Sequence, residues 1–220
     1  MIAHAVSPIA TALADTELVV RALAGREDGF EELVRRYQRP IVAYVYRMVG
    51  DYDSALDLAQ EVFIKVYNSL GRYRPEFKFS TWIYRIAHNA AIDHLRRQGA
   101  SRTEEIEVEG HEGTTFEKPL ASKSPTPEQE TERGERRAEI EEVVAQLPPS
   151  YRELIVLRHS HDLSYDEIAE VTSLPLGTVK NRIFRAREAM RELFVARGIT
   201  GMERAWLTPH AKGKVARGRA

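Results

Sequence analysis

From Asp15 to Gln98 the apolar residues recur at spacings of three and four, and no alternating run is long enough for a β-strand. A chain patterned this way folds as helices packed on helices. The spacing predicts four of them. The first runs from about Thr16 to Ala24 and stops at Gly25. The second takes up at about Glu27, carries "FEELVRRYQRPIVAYVYRMV" and is expected to bend at Pro40, which removes a helical hydrogen bond. The third, "DSALDLAQEVFIKVYNSL", ends at Gly71. The fourth opens at Ser80, an expected N-cap, and carries "TWIYRIAHNAAIDHLRR".

The pattern then lapses. Gly99 to about Pro127, "GASRTEEIEVEGHEGTTFEKPLASKSPTP", is polar and without sustained periodicity, which predicts a flexible linker over 99–127. It is also acidic: Ala100 to Leu147 holds 13 acidic residues against 6 basic ones, so a negative segment separates two better-patterned blocks. Helical spacing returns at about Glu128 and lasts to Gln146. It breaks at Pro148 and Pro149, restarts in "YRELIVLRHS", and continues in two helices, Tyr165 to Val171 and about Pro175 to Arg197. The expected architecture is all-α, with two small helical domains over 15–98 and 128–197. A basic, aperiodic tail over 198–220 is expected to be disordered.

The second block contains "LSYDEIAEVTSLPLGTVKNRIFRAR". Ser164 and Glu167 have the S-x-x-E spacing in which a hydroxyl and a carboxylate satisfy the free N–H groups at a helix start. "TSL" makes a turn, and Pro175 suits the first position of the next helix. On that helix Leu176, Val179, Ile183, Ala186, Met190 and Leu193 form one buried stripe. Thr178, Lys180, Asn181, Arg182, Phe184, Arg185 and Arg187 are then left to face outward. No acid stands between Leu176 and Arg187, although Asp166, Glu167, Glu170, Glu188 and Glu192 lie just outside. Two short helices with an acid-free basic face are the makings of a helix-turn-helix whose second helix enters the major groove. Lys180, Arg182 and Arg187 are placed to meet phosphates, Asn181 and Arg185 to choose bases.

A second positive surface lies in the first block. Lys65, Arg72, Arg74, Lys78, Arg85, Arg96 and Arg97 face only Glu76 and Asp93 over Lys65 to Arg97, with Tyr73, Phe77, Phe79, Trp82 and Tyr84 interleaved. Cations along a backbone with rings for unstacked bases suit single-stranded nucleic acid. Trp82 also lies near the helix face of Ile83, Ile86 and Ala90, and Phe77 and Phe79 equally suit pinning a loop. Tyr84, Arg85, His88, Asn89, Arg96 and Arg97 form the expected outward set. On the third helix Asp57, Gln60 and Glu61 cluster on the outer side, and a solvated face accounts for them by itself.

A net charge of −1 gives no bulk attraction to a polyanion, so any such partner must be met by these local faces. The chain has no cysteine, which excludes disulfides and thiolate metal sites and fits a reducing, cytoplasmic setting. Its first residues, "MIAHAVSPIATALADTELVV", lack a basic n-region and are interrupted by Pro8 and Asp15, so neither a signal peptide nor membrane insertion is expected. His159, His161 and Asp162 sit together in "RHSHDLS", and His88 and His94 are six apart. Neither set has a further ligand at a recognised interval, and no Gly-rich phosphate loop or nucleophile elbow exists. No cofactor, metal or catalytic residue is expected.

Six stretches together resemble the extracytoplasmic-function (ECF) group of sigma-70 factors of bacterial RNA polymerase. They are "ELVRRYQRPIVAYVYRMVGD", "DLAQEVFIKVY", "FSTWIYRIAHNAAIDHLRR", "LPPSYRELIVLRH", "LSYDEIAE" and "GTVKNRIFRAR", in that group's order. The resemblance implies that the first domain is region 2, with Asp57, Gln60 and Glu61 docking on the β′ clamp helices of core RNA polymerase. It implies that Arg72, Lys78, Trp82, Tyr84, Arg85, Asn89, Arg96 and Arg97 recognise and melt the −10 element of promoter DNA, duplex and single-stranded. The second domain is then region 4, meeting the β flap and reading the −35 element through Thr178, Lys180, Asn181, Arg182, Phe184 and Arg185. Asn181 stands where Ser is frequent in the group. An anti-sigma factor is a further partner that the resemblance allows. The acidic linker, with Glu104, Glu105, Glu107 and Glu109, is expected to pass through a positively charged nucleic-acid channel. The competing reading is a helix-turn-helix repressor or activator acting without promoter melting, which gives the run from Arg72 to Arg97 no task.

Overall fold

The computed structural model describes residues 13–101 and 138–199. The fold is all-α, and no strand occurs among the described residues. The chain divides into two compact units between Ser101 and Arg102.

The first unit contains α1 (Asp15–Leu23), α2 (Glu27–Val49), α3 (Tyr52–Ser69), a 3-10 turn (Leu70–Arg72) and α4 (Phe79–Ser101). α2 is the central element, packing on α1, α3 and α4, and α3 also packs on α4. Leu18, Leu33, Ile41, Tyr44, Val45, Met48, Val62, Val66 and Ile83 fill the core, each 1% exposed or less. α1 docks closely because residue 29 is glycine: a Cβ there would sit 2.6 Å from the Leu18 carbonyl oxygen. The dock is pinned by Asp15, which accepts from Arg36 at 2.8 Å and from the Tyr37 hydroxyl at 2.6 Å. α2 ends at Gly50, whose φ of 82° is a left-handed conformation open to glycine, and Asp51 caps α3 through the Ser54 N–H at 2.8 Å.

α2 runs unbroken through Pro40, its flanks packed on α1, α3 and α4. The bounds of α4 differ from those expected. α4 starts at Phe79, so Ser80 lies inside the helix instead of capping it. The aromatic ring of Phe79, 2% exposed, anchors that first turn among Tyr37, Tyr73 and Trp82. α4 also runs to Ser101, three residues beyond the Gln98 boundary.

The second unit contains α5 (138–146), α6 (Pro149–Ile155), a π-type turn (Val156–Ser160), α7 (Tyr165–Thr172) and α8 (Leu176–Ala196). Pro149 stands in the first turn of α6, where no N–H is needed. α6 and α7 both pack on α8. The capping box forms as spaced: Ser164 Oγ accepts from the Glu167 N–H at 3.2 Å, and Glu167 accepts from the Ser164 N–H at 2.7 Å. Ser173, at φ 56°, turns the chain between α7 and α8. Pro175 precedes α8 as its N-cap residue, one position earlier than expected. The buried stripe of α8 is Val179, Ile183, Ala186, Met190 and Phe194. Phe194 ends it at 0% exposure, whereas Leu176 and Leu193, both expected in the stripe, are half-buried. The linker from residue 102, the helix start expected at 128–137, residues 1–12 and the tail from residue 200 lie outside the described residues.

Candidate nucleic-acid interface

The outward side of α8 is assembled from residues opposite its buried stripe. At 100° per residue, Asn181, Phe184 and Arg185 project away from Val179, Ile183 and Met190. Lys180, Asn181, Phe184 and Arg185 are exposed, Phe184 at 64%, and Thr178 is half-buried. Arg185 Nε donates to Asn181 Oδ1 at 3.3 Å, so two candidate base readers are already joined one helical turn apart.

Arg182 and Arg187 stand apart from that set. Each lies roughly 70° from the centre of the buried stripe, one on either border. Arg182 is half-buried. Arg187 is 8% exposed, its Nη2 lying 3.5 Å from His159 Nε2 in the π-type turn. The expected phosphate contact by Arg187 is therefore replaced by an interior one, since a long stem at a stripe border can fold inward along apolar surface. Arg158 is similarly interior at 7% exposure, donating to the Leu163 carbonyl at 2.8 Å and lying over the Tyr165 ring at 5.2 Å.

Sequence reasoning missed Glu153. It is 5% exposed on α6, and burial pushes its carboxyl up to about 7, opposed by the positive charge of Arg182. A signal was present: Glu153 stands three and four positions before Val156 and Leu157, in phase with residues that are buried.

In the first unit the structure separates the predicted outward set. Arg85, Asn89 and Arg96 are exposed and fall along one stripe of α4, with Arg97 exposed beside it. Tyr84 and His88 are interior, at 4% and 8% exposure. Tyr84 packs edge-on against Tyr44 with ring centroids 5.6 Å apart, and the Tyr44 hydroxyl lies 3.4 Å from His88 Nδ1. Burial raises the Tyr84 hydroxyl and pulls His88 down to about 4, so both are neutral at pH 7. Tyr84 is thus a core residue and is withdrawn as a DNA contact. The cause is a wide buried face: the small Ala87, Ala90 and Ala91 let both α2 and α3 approach α4.

The loop before α4 presents exposed Arg72, Arg74 and Lys78. Its shape is set by Tyr73, 8% exposed, whose hydroxyl donates to the Phe77 carbonyl at 2.7 Å. Phe79 is core, Trp82 is half-buried against Tyr73 and Phe79, and Phe77 is 48% exposed at the loop tip. On α3, Asp57, Gln60 and Glu61 are exposed together, and Ile64, 60% exposed, continues their face. Among the described residues no group of three His, Asp or Glu could hold a metal ion, and no helix is long and apolar enough to cross a membrane.

Both units match known families. Residues 33–101 match Sigma-70 region 2, and residues 137–190 match Sigma-70 region 4. The chain is 41% identical over 177 residues to the RNA polymerase sigma-H factor of Pseudomonas aeruginosa, covering 80% of this chain and 91% of that one. It is 39% identical over 168 residues to the ECF RNA polymerase sigma factor SigW of Bacillus subtilis, covering 76% and 90%. This chain is an ECF sigma factor of the sigma-70 family. As such it is a non-enzymatic initiation factor that binds core RNA polymerase and directs transcription from promoters. A solved structure of the sigma factor RpoE of Bartonella quintana, described in complex with the anti-sigma factor NepR, shares the fold. Its TM-score is 0.59 at 20% identity, over 76% of this chain and 96% of that chain. In this sigma factor, α4 with its exposed Arg85, Asn89 and Arg96 lies within the region 2 match, and α7 and the basic half of α8 lie within the region 4 match.

Proposed function

We propose that the sigma factor reads the −35 element with the outward side of α8. Lys180 and Arg182 hold phosphates, Asn181, Phe184 and Arg185 meet base edges, and Thr178 contacts the backbone beside the helix N-terminus. The stripe Arg85, Asn89 and Arg96 of α4, with Arg72, Lys78, Arg97 and the half-buried Trp82, holds the −10 element and its separated strand. Asp57, Gln60 and Glu61 on α3 dock on the β′ clamp helices, and region 4 meets the β flap. In the proposed division the first domain runs from 15 to the end of α4 at Ser101 and the second over 128–197, with the stretch between them as the connection. The observation that carries this reading is the exposure of two separate cationic faces, one on α8 and one on α4, each opposite a well-buried side.

The protein acts in the cytoplasm, in keeping with a cysteine-free chain. An anti-sigma factor is a further candidate partner; the Bartonella quintana RpoE is described in complex with one, NepR. The base-reading assignment is tested with Arg185→Ala in reconstituted holoenzyme on promoters varied at each −35 position. A loss of about 1–3 kcal/mol confined to one position supports it, and an equal loss on every sequence makes Arg185 a phosphate contact.

A further inference from the structure

The aromatic packing at the start of α4 continues out of the loop and into α2, where it ends on Tyr37. This ring is half-buried. It packs edge-to-face with Phe79, the centroids 5.3 Å apart and the planes at 63°. Phe79, 2% exposed, lies 5.6 Å from both Tyr73 and Trp82, and those two rings are 5.5 Å from each other. Tyr73 sets the loop itself, since its hydroxyl donates to the Phe77 carbonyl at 2.7 Å. Rings interlocked at such distances do not turn independently. The other end of Tyr37 is fastened as well. Its hydroxyl donates to one oxygen of Asp15 at 2.6 Å, and the second oxygen accepts from Arg36 at 2.8 Å. Both are charge-assisted bonds. Tyr37 is therefore held by α1 at its hydroxyl and by the first turn of α4 at its ring. Of the rings around Phe79 in the loop and α4, Tyr73 is 8% exposed and Trp82 is the one that keeps surface for a base.

We infer that Tyr37 is a positioning residue for strand holding: by bracing Phe79 it fixes the angle at which Trp82 meets the separated −10 strand. It acts through Phe79, not by contact with DNA. Asp15 secures the brace, which gives α1 a task beyond covering α2. The inference rests on Trp82 meeting that strand, as proposed above.

The test is promoter opening by reconstituted holoenzyme with full-length chains carrying Tyr37→Leu, Tyr37→Phe, Trp82→Ala, or Tyr37→Leu with Trp82→Ala. Opening is read by permanganate reactivity on a duplex promoter from which the wild-type holoenzyme initiates, and binding by DNase protection of its −35 element. Loss of one aromatic contact shifts opening by about two- to tenfold, so Tyr37→Leu lowers it by that factor with −35 protection unchanged. Tyr37→Phe keeps the ring, drops the Asp15 bond and falls between Tyr37→Leu and wild type. With Trp82 already replaced, Tyr37→Leu costs no further opening. Wild-type opening by Tyr37→Leu, a fall in −35 protection matching the fall in opening, or an equal loss in both backgrounds overturns the role of Tyr37. If Tyr37→Leu forms no holoenzyme, Tyr37→Phe decides: reduced opening at full −35 protection supports the brace, and wild-type opening overturns it. If Trp82→Ala itself opens the promoter like wild type, Trp82 does not hold the strand, and that assignment falls with the inference.

Discussion

Replacing Glu153 with Gln should stabilise region 4 above neutral pH. The carboxyl is raised from 4.5 to about 7 by burial, with Arg182 pulling in the opposite direction. In the unfolded chain the group ionises near 4.5; in the folded one it resists ionising until about 7. Below pH 4.5 it is protonated in both states and costs nothing. Between 4.5 and 7 the unfolded state releases its proton first, so folding stability is lost as pH rises through this window. At about 1.4 kcal/mol per pH unit, the full loss is about 3 kcal/mol, complete above pH 7. Gln has nearly the same shape and no charge to desolvate, so the variant escapes this loss. Because the chain has two units, a single melting temperature does not isolate the effect. Urea titrations read by methyl NMR of Ile183 and Met190, which are 1% and 0% exposed on the α8 stripe, report region 4 alone. The stability difference between variant and wild type should be near zero at pH 5 and grow to up to about 3 kcal/mol in favour of the variant at pH 8. A difference that does not change with pH, or a variant less stable at pH 8, refutes the reasoning.

Other substitutions separate interior residues from surface ones. Tyr84→Ala should cost region 2 about 3–5 kcal/mol by opening a cavity beside Tyr44. Tyr84→Phe keeps the ring and should leave promoter opening within about twofold of wild type, since Tyr84 touches no DNA; permanganate footprinting of the opened strand checks this. Lys180→Ala should flatten the salt slope of promoter binding by about 0.9, while Arg187→Ala should leave the slope unchanged and lower only the stability of region 4. Gly29→Ala forces a Cβ to 2.6 Å from the Leu18 carbonyl oxygen. It should destabilise region 2 by about 1–3 kcal/mol and increase hydrogen exchange in α1 first.

The residues that sequence spacing placed well are those governed by local rules. Ser164 and Glu167 find each other because a capping box needs only two residues three apart. Val179, Ile183, Ala186 and Met190 repeat at the helical period on a helix with one covered side. α4 has two covered sides, and a one-sided pattern therefore put Tyr84 and His88 in solvent when both pack toward α2. Arg187 was misjudged for a different reason. Its backbone position is at a border, and where a long side chain goes from a border depends on what the neighbouring element offers, here His159. Glu153 escaped notice because acids are normally solvated, and only the packing of α6 on α8 makes this one interior. Asp57, Gln60 and Glu61 were placed on one exposed side, as found, but exposure alone does not name a partner.

Transcription by core RNA polymerase with this chain added, on a duplex promoter and on the same promoter with a pre-melted bubble, tests the central claim most directly. The account predicts initiation from one defined start on both templates. It also predicts that replacing Asp57, Gln60 and Glu61 together with Ala abolishes initiation on both, and that replacing Arg85, Asn89 and Arg96 hurts the duplex template more than the bubble. Tight binding to duplex without any initiation, or a triple α3 variant as active as wild type, would contradict it.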